Sequence, residues 1–364
     1  MPTPTVFRSS AAAPGERGLL LGRAHPERIR RNADFYDTLF RAVGAGPGDV
    51  REAGLAAFGH IAEAAPEVAE EIDGIARGAR LPLHRIAALN ARTEILGRSG
   101  HRHPECSTVV HAPADGRPPV TTQTWDWHDD MRDGWFVWHV RHPDGREIRT
   151  VTEYGIVGKI GVNGAGLGLH FNILGHASDT STPDDRFPRL PVHVLARHVL
   201  DTCGTVEEAI RLATGTRVAA SSSLTFTAFE AGRAQAATVE LSPAGPAVLR
   251  PGADGYLLRT NHFVDPGLAR GEALATEDPD TRHRLAALHA RTAARPSPDA
   301  SALRDTLDFH LGDGAALCCH ADPGAALGRR WETLATVSLD VVASRLSVHA
   351  GGPCTAAAAD WTVV

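Results

Sequence analysis

Residues 102–110 read RHPECSTVV. Polar and turn-forming residues end at Glu105, and a run of strand formers begins at Cys106. Upstream, GRSGHRHPE (97–105) reads as an exposed linker. Downstream, CSTVVHAP and PPVTTQTWDW flank ADGR (114–117), the signature of a hairpin. A turn centred near Gly116 sets Asp126 opposite Cys106, which makes the carboxylate a cross-strand neighbour of the thiol. A cysteine that opens a strand after a linker has a specific chemical use. If the chain is cut before it, the residue gains an α-amine with a reference pKa of about 7.7–8.0. Nucleophile and base then belong to one residue, and Asp126 would orient and charge-balance the amine. The competing reading makes Cys106 a small buried hydrophobe.

Working outward, residues 25–98 read as helical. PEVAEEIDGIARGARL (66–81) starts on a proline and sets Val68, Ile72 and Ile75 at helical spacing, and HRIAALNARTEIL (84–96) is a second apolar-periodic segment. After Cys106 the texture turns to strands. WFVWHVRH and REIRTVTEY form a second hairpin about PDG (143–145). GIVGKIGVNGAGLGLHFNIL (155–174) alternates Gly with apolar residues, as closely packed strands do. Helices follow in PRLPVHVLARHVLDTC (188–203) and TVEEAIRLAT (205–214), the latter capped by Thr205 with Glu208 three residues on. SSSLTFTAFE, AQAATVEL and GYLLRTNHF return to strands, 282–314 to helix, and TVSLDVVASRLSVHAG (336–351) to a strand pair. Helices, strands, helices, strands imply a layered α+β fold with antiparallel sheets.

The chain has 364 residues, 43% hydrophobic and 22% charged, with a net charge of −6. That balance carries no electrostatic footprint for nucleic acid. Lys159 is the only lysine, which reads as the codon bias of a GC-rich genome. Five cysteines without regular spacing are not a disulfide framework. The opening MPTPTVFRSSAAAPGERG has no apolar core of a signal peptide, and no run reaches membrane-span length. A cytoplasmic protein without a membrane partner is expected.

Several stretches together resemble the acyl-coenzyme A:6-aminopenicillanic acid acyltransferase family, a cysteine-dependent branch of the N-terminal nucleophile hydrolases. They are PEVAEEIDGIARGARLPLHRIAALNARTEIL, CSTVV, TWDW, GKIGVNGAGLGLHFNIL, TNHF and VHAGGPC, in the family's order across residues 66–354. The resemblance implies a four-layer αββα sandwich with an N-terminal helical segment. It implies self-cleavage between Glu105 and Cys106, into a small fragment 1–105 and a catalytic fragment 106–364 that stay together as one co-folded heterodimer. Cys106 matches the nucleophile, Asp126 the aspartate beside the amine, and Asn261 of TNHF the asparagine that polarises the scissile carbonyl. Asn172 of HFN falls near a second family asparagine. Thr108 matches a hydroxyl two residues after the nucleophile. Arg282 of DTRHR resembles an arginine of the related bile-salt hydrolases, with Arg284 as the competing match.

This chain has Glu105 where the fungal acyltransferase has Gly, and TQTWD (122–126) where relatives have GQNWD or GRNMD. Thr124 replaces an asparagine and no arginine stands there, which disfavours a bile-acid substrate. The implied activity is amide hydrolysis or acyl transfer on a small amide or acyl donor through a thioester, without a cofactor and with a coenzyme A thioester as one candidate donor. The rival is a catalytically silent, uncleaved binding scaffold of the same fold. Other patterns are set aside. His101 and His103 with Cys106, and Cys318 and Cys319 with His320, lack zinc-site spacing, so no metal is expected. A Cys–His pair lacks the papain signature, and NGAGLG (163–168) lacks the strand–loop–helix context of a nucleotide loop. Trp125, Trp127, Trp135 and Trp138 suit an acyl pocket, but at least two of the four are expected in the core.

Overall fold

The computed structural model describes residues 3–98, 106–180, 189–325, 330–356 and 361–364. A short strand, β1 (Val6–Arg8), precedes six helices: α1 (Pro14–Ala24), α2 (Pro26–Ala42), α3 (Pro47–Ala64), α4 (Pro66–Ala79), α5 (Leu83–Asn90) and α6 (Arg92–Arg98). The first four each start on a proline, whose missing N–H costs nothing in a first turn. Strands β2 (Cys106–His111), β3 (Val120–His128), β4 (Trp135–Arg141), β5 (Glu147–Glu153), β6 (Ile160–Asn163) and β7 (Gly168–Ile173) follow, then α7 (Val192–Thr202) and α8 (Val206–Gly215). Next come β8 (Ser222–Glu230), β9 (Arg233–Ser242), β10 (Gly245–Leu249) and β11 (Tyr256–Arg259). Helices α9 (Leu274–Glu277), α10 (Asp280–Ala293) and α11 (Ala300–Asp305) lead to β12 (Trp331–Asp340), β13 (Arg345–Ala350) and β14 (Thr362–Val363).

Among the described residues the strands form two sheets, ordered β1-β4-β5-β6-β7-β8-β9-β10 and β11-β2-β3-β12-β13-β14. They face each other, β2 against β7 and β12 against β6. Helices α7 and α8 cover the outer face of the first sheet, and α10 and α11 that of the second. The expected αββα sandwich is thus present. Gln123 of β3 ties the layers together: its side chain donates to the Phe171 carbonyl at 2.6 Å and accepts from the Phe171 N–H at 3.2 Å. The NGAGLG stretch is the β6–β7 turn, not the start of a helix.

Three local expectations change. The stretch 282–314 is not one helix: α10 ends at Ala293, and Pro296 and Pro298 separate it from α11. The first hairpin is shifted by one residue. His111 pairs with Val120 and Cys106 with Trp125, so Asp126 is diagonal to Cys106 rather than opposite it. An even, eight-residue loop (112–119) centres the hairpin between Asp115 and Gly116 instead of on Gly116. Because side chains alternate along a strand, thiol and carboxyl leave opposite faces of the sheet. Finally, β1 pairs in parallel with β4, Val6 opposite Val137, so the N-terminal segment contributes to the sheet as well as to the helices.

One hydrophobic core runs from the N-terminal helices through both sheets. Helices α1 and α4 approach closely: a Cβ on Gly18 would lie 2.0 Å from the Glu71 carbonyl oxygen. Buried charges join residues before Cys106 to residues after it. Glu71 of α4 binds Arg17 of α1 at 2.8 Å and Arg197 of α7 at 2.6 Å, all three at most 1% exposed. Glu71→Gln leaves two buried guanidinium groups short of one negative charge. It should lower the unfolding free energy by about 3–5 kcal/mol, read from urea denaturation, whereas Glu67→Gln on the exposed face of α4 should change it little. Among the described residues no helix is long and apolar enough to cross a membrane.

Candidate active site

Cys106 begins β2 at a point where β11 on one side and β3 on the other converge, and it is 5% exposed. Its backbone N–H donates to Asn261 Oδ1 at 2.8 Å. Its carbonyl accepts from Asn172 Nδ2 at 3.0 Å and from Arg284 Nη1 at 3.2 Å. Three side chains, from β7, from α10 and from the turn after β11, therefore grip the backbone of one residue.

Each of these partners is held in turn. Asn172 lies on β7 in the facing sheet, and its Oδ1 accepts the Thr108 hydroxyl at 2.8 Å, which orients the amide nitrogen toward Cys106. Asn261 follows β11. Its N–H donates to the Thr281 hydroxyl at 2.8 Å, its Nδ2 to the Ile173 carbonyl at 2.8 Å, and its Oδ1 also accepts Arg284 Nη2 at 3.0 Å. Arg259, paired in the interior with Glu240, donates to the His262 carbonyl at 2.8 Å and fixes the turn that carries Asn261. An amide nitrogen has two hydrogens, so both asparagines keep one N–H beyond these bonds.

The electrostatics of the thiol follow from its surroundings. Burial pushes the Cys106 thiol up to about 12, and the Asp126 charge adds to this; Lys159, the Asp126 N–H and Arg284 pull it down. Burial likewise pushes the Asp126 carboxyl up to about 7, against the opposing pull of the Thr333 hydroxyl and Arg284. Both carboxyl oxygens are buried, and no cationic side chain forms an ion pair with them among the described residues. Lys159 is buried with its ammonium 3.8 Å from the centre of the Trp125 ring and 2.8 Å from Glu153. Burial lowers it to about 8. Glu153 also binds Arg92 at 2.8 Å and the Tyr36 hydroxyl, so α2, α6 and β5 set the charge around Lys159, near Cys106.

Cys106, Asn172, Asn261 and Thr108 are thus brought together as the sequence suggests, with Asp126 alongside. Arg282 is not. It is exposed on α10, and Arg284, the competing match, is the buried arginine in the site. The helix period could have chosen between them, because Thr281, Arg284, Leu288 and Thr292 share the buried face and Arg282 lies off it. Lys159 was missed altogether, its rarity being read as codon bias. All four tryptophans of the 125–138 stretch are buried, so the core expectation is exceeded. Glu105 lies outside the described residues.

Comparison with known proteins follows the same line. Acyl-coenzyme A:6-aminopenicillanic-acid-acyltransferase 40 kDa form of Emericella nidulans is 28% identical over 220 residues, which cover 60% of this chain and 58% of that protein. The match therefore spans less than two thirds of the relative's length. Among solved structures, penicillin V acylase from Agrobacterium tumefaciens is similar with a TM-score of 0.45 and 16% identity, over 67% of this chain and 83% of that one. A mutant conjugated bile acid hydrolase from Clostridium perfringens is similar with a TM-score of 0.48 and 10% identity, over 71% and 92%. The model of one family matches residues 113–354, a span that holds Asp126, Asn172, Asn261 and Arg284 and begins just after β2. By that match the chain belongs to the acyl-coenzyme A:6-aminopenicillanic acid acyl-transferase family.

Proposed function

We propose that the protein is a self-processing cysteine amidohydrolase or acyltransferase that works through a thioester on a small amide or acyl donor. The observation that carries this reading is the grip of Asn261, Asn172 and Arg284 on the backbone of Cys106. A cysteine serving only as core filler needs burial, not three polar side chains fixing its N–H and carbonyl.

In the proposed processing step the Cys106 sulfur attacks the Glu105 carbonyl carbon. The C–N bond breaks, the nitrogen takes a proton, and water then cleaves the thioester to leave a Glu105 carboxylate, a free thiol and a new α-amine. Fragments 1–105 and 106–364 remain together as a heterodimer. In turnover the amine accepts the thiol proton, and the thiolate attacks the donor carbonyl. The spare N–H groups of Asn261 and Asn172 are the candidates to meet the oxyanion. Collapse expels the amine or the coenzyme A thiol, and water or an acceptor amine takes the acyl group. Hydrolysis is the favoured outcome because water is always present; family membership keeps acyl transfer as the second. The new ammonium would also supply a cationic partner to the buried carboxyl of Asp126.

The test is intact mass after incubation with a panel of amides and acyl-coenzyme A thioesters. An acyl adduct confined to fragment 106–364 and lost in Cys106→Ala supports the reading; no adduct from any donor in a correctly cut protein removes it. A second expectation concerns Asp126→Asn. Losing the carboxylate lowers the pKa of the adjacent ammonium, so the free amine appears at lower pH. The rising limb of the pH–rate profile should move by about one unit or more toward acid, with reduced turnover. A purely structural role would lower thermal stability and leave the profile in place.

A further inference from the structure

Away from Cys106, four side chains with metal-binding atoms converge near the start of β12. The ligand atoms of His310, Cys318, His320 and Cys354 all lie within 4.8 Å of one another. The two sulfurs are 3.5 Å apart, and His320 Nε2 lies 3.7 Å from Cys318 Sγ and 3.5 Å from Cys354 Sγ. A tetrahedral zinc with ordinary bond lengths requires sulfur–sulfur separations of about 3.8 Å and sulfur–nitrogen separations of about 3.6 Å. The His310 ring stacks on His320 with centroids 5.1 Å apart. Its Nδ1 lies 3.5 Å from the Asp313 carboxylate and its Nε2 3.9 Å from that of Asp308; a carboxylate kept on one ring nitrogen orients the other toward a metal.

The backbone is shaped for this convergence. A Cβ on Gly352 would sit 2.4 Å from Cys318 Sγ and 3.7 Å from Cys354 Sγ, so only glycine lets the two sulfurs meet there. The loop bearing Cys318–His320 is also registered on β12: the Cys319 N–H donates to the Thr333 hydroxyl at 2.9 Å, and the Thr333 N–H to the Cys319 carbonyl at 3.0 Å. Thr333 pairs with Asp126. The cluster therefore stands one strand away from the candidate active site.

We propose that His310, Cys318, His320 and Cys354 bind one zinc ion, which fastens the loop between α11 and β12 to the turn after β13. Two thiolates and two imidazoles in a tetrahedral set favour zinc over the oxygen-loving divalent ions. With four protein ligands there is no open position, so the site is structural. On binding, each thiol gives its proton to solvent and no electron changes hands. His320 and Cys354 are exposed and give the ion its way in. The alternative for the same sulfurs is a Cys318–Cys354 disulfide, which would leave both histidines without a role.

The experiment uses the full chain purified under reducing conditions from zinc-supplemented cells, and a Cys106→Ala variant so that the nucleophile contributes no ligand. Elemental analysis should find about one zinc per chain in both. Zinc should fall to near zero in His320→Ala and in Cys354→Ala, and should stay in Cys203→Ala. Cobalt(II) exchanged into the Cys106→Ala protein should give tetrahedral d–d absorption and a thiolate charge-transfer band. That spectrum decides the matter even if the ligand variants fail to fold. The proposal is overturned if reduced protein takes up neither zinc nor cobalt when one equivalent is added. It is equally overturned if zinc-replete protein shows an intact mass lower by two hydrogens with the Cys318–Cys354 bridge found by peptide mapping.

Discussion

Cys106→Ala should run as one full-length chain on a denaturing gel, while the unaltered protein should give fragments 1–105 and 106–364. Loss of the thiol removes the group proposed to take up the Glu105 acyl group, so both processing and turnover should vanish together. Cleavage at 105/106 in the alanine variant would remove Cys106 from processing; an unaltered chain that stays whole and inert would favour the scaffold reading. Cys106→Ser should cut slowly, through an oxygen ester in place of the thioester. The same alanine variant preserves the uncut state, in which the Asp126 carboxyl is buried without an ammonium. Burial holds its folded pKa at about 7, well above the usual carboxylate range. The folded chain then holds that proton more tightly than the unfolded one. The associated stability is complete below pH ~4 and is lost as pH rises through about 7. Adding Asp126→Asn to Cys106→Ala should flatten that decline in a melting series from pH 5 to 8. Some slope should survive, since burial pushes Glu94 up to about 7 as well.

Asn261→Ala should cost about 10²–10³ in turnover if its spare N–H meets the oxyanion. Part of the loss would have another origin, because Asn261 Oδ1 also receives the Cys106 N–H and Arg284 Nη2. The two roles separate by measuring processing and turnover apart. A failure of alignment slows both, whereas loss of an oxyanion donor in a fully cut enzyme lowers kcat with little change in KM. Asn261→Asp should be at least as harmful, since a carboxylate repels the developing charge. Near-normal turnover in a cut Asn261→Ala protein would take the residue out of the chemistry.

Much of this was legible in the sequence where chemistry is local. Cys106 at a strand start, Asp126 at a hairpin's distance, and the Thr205–Glu208 capping box all depend on neighbours a few residues away. Misreadings came where a small geometric offset decides. One residue of loop length moved Asp126 from opposite Cys106 to diagonal, and one step around α10 exchanged Arg282 for Arg284. Cys318 and His320 stand two residues apart in the sequence but lack paired spacing, because the other members of the cluster, His310 and Cys354, join them only when β13 returns beside β12. Composition hid Lys159: a lone lysine in an arginine-rich chain carries no sign that it is buried near Cys106. The strand β1 was equally hidden, since three residues give no period to detect.

That strand has a consequence for the life of the molecule. In an uncut chain, Val6–Arg8 finds β4 by a search within one polymer, at a rate independent of how dilute the protein is. After a cut at 105/106, strand β1, the Glu71–Arg197 ion pair and the Asn32 bonds to the Gly134 and Tyr154 carbonyls all join separate polymers. Native contacts are unchanged, but their re-formation becomes a second-order reaction. The mature protein would therefore inherit a shape that its two pieces find slowly once separated. At low concentration its durability would be set by the barrier to coming apart, with the precursor's easy return to the native state no longer available.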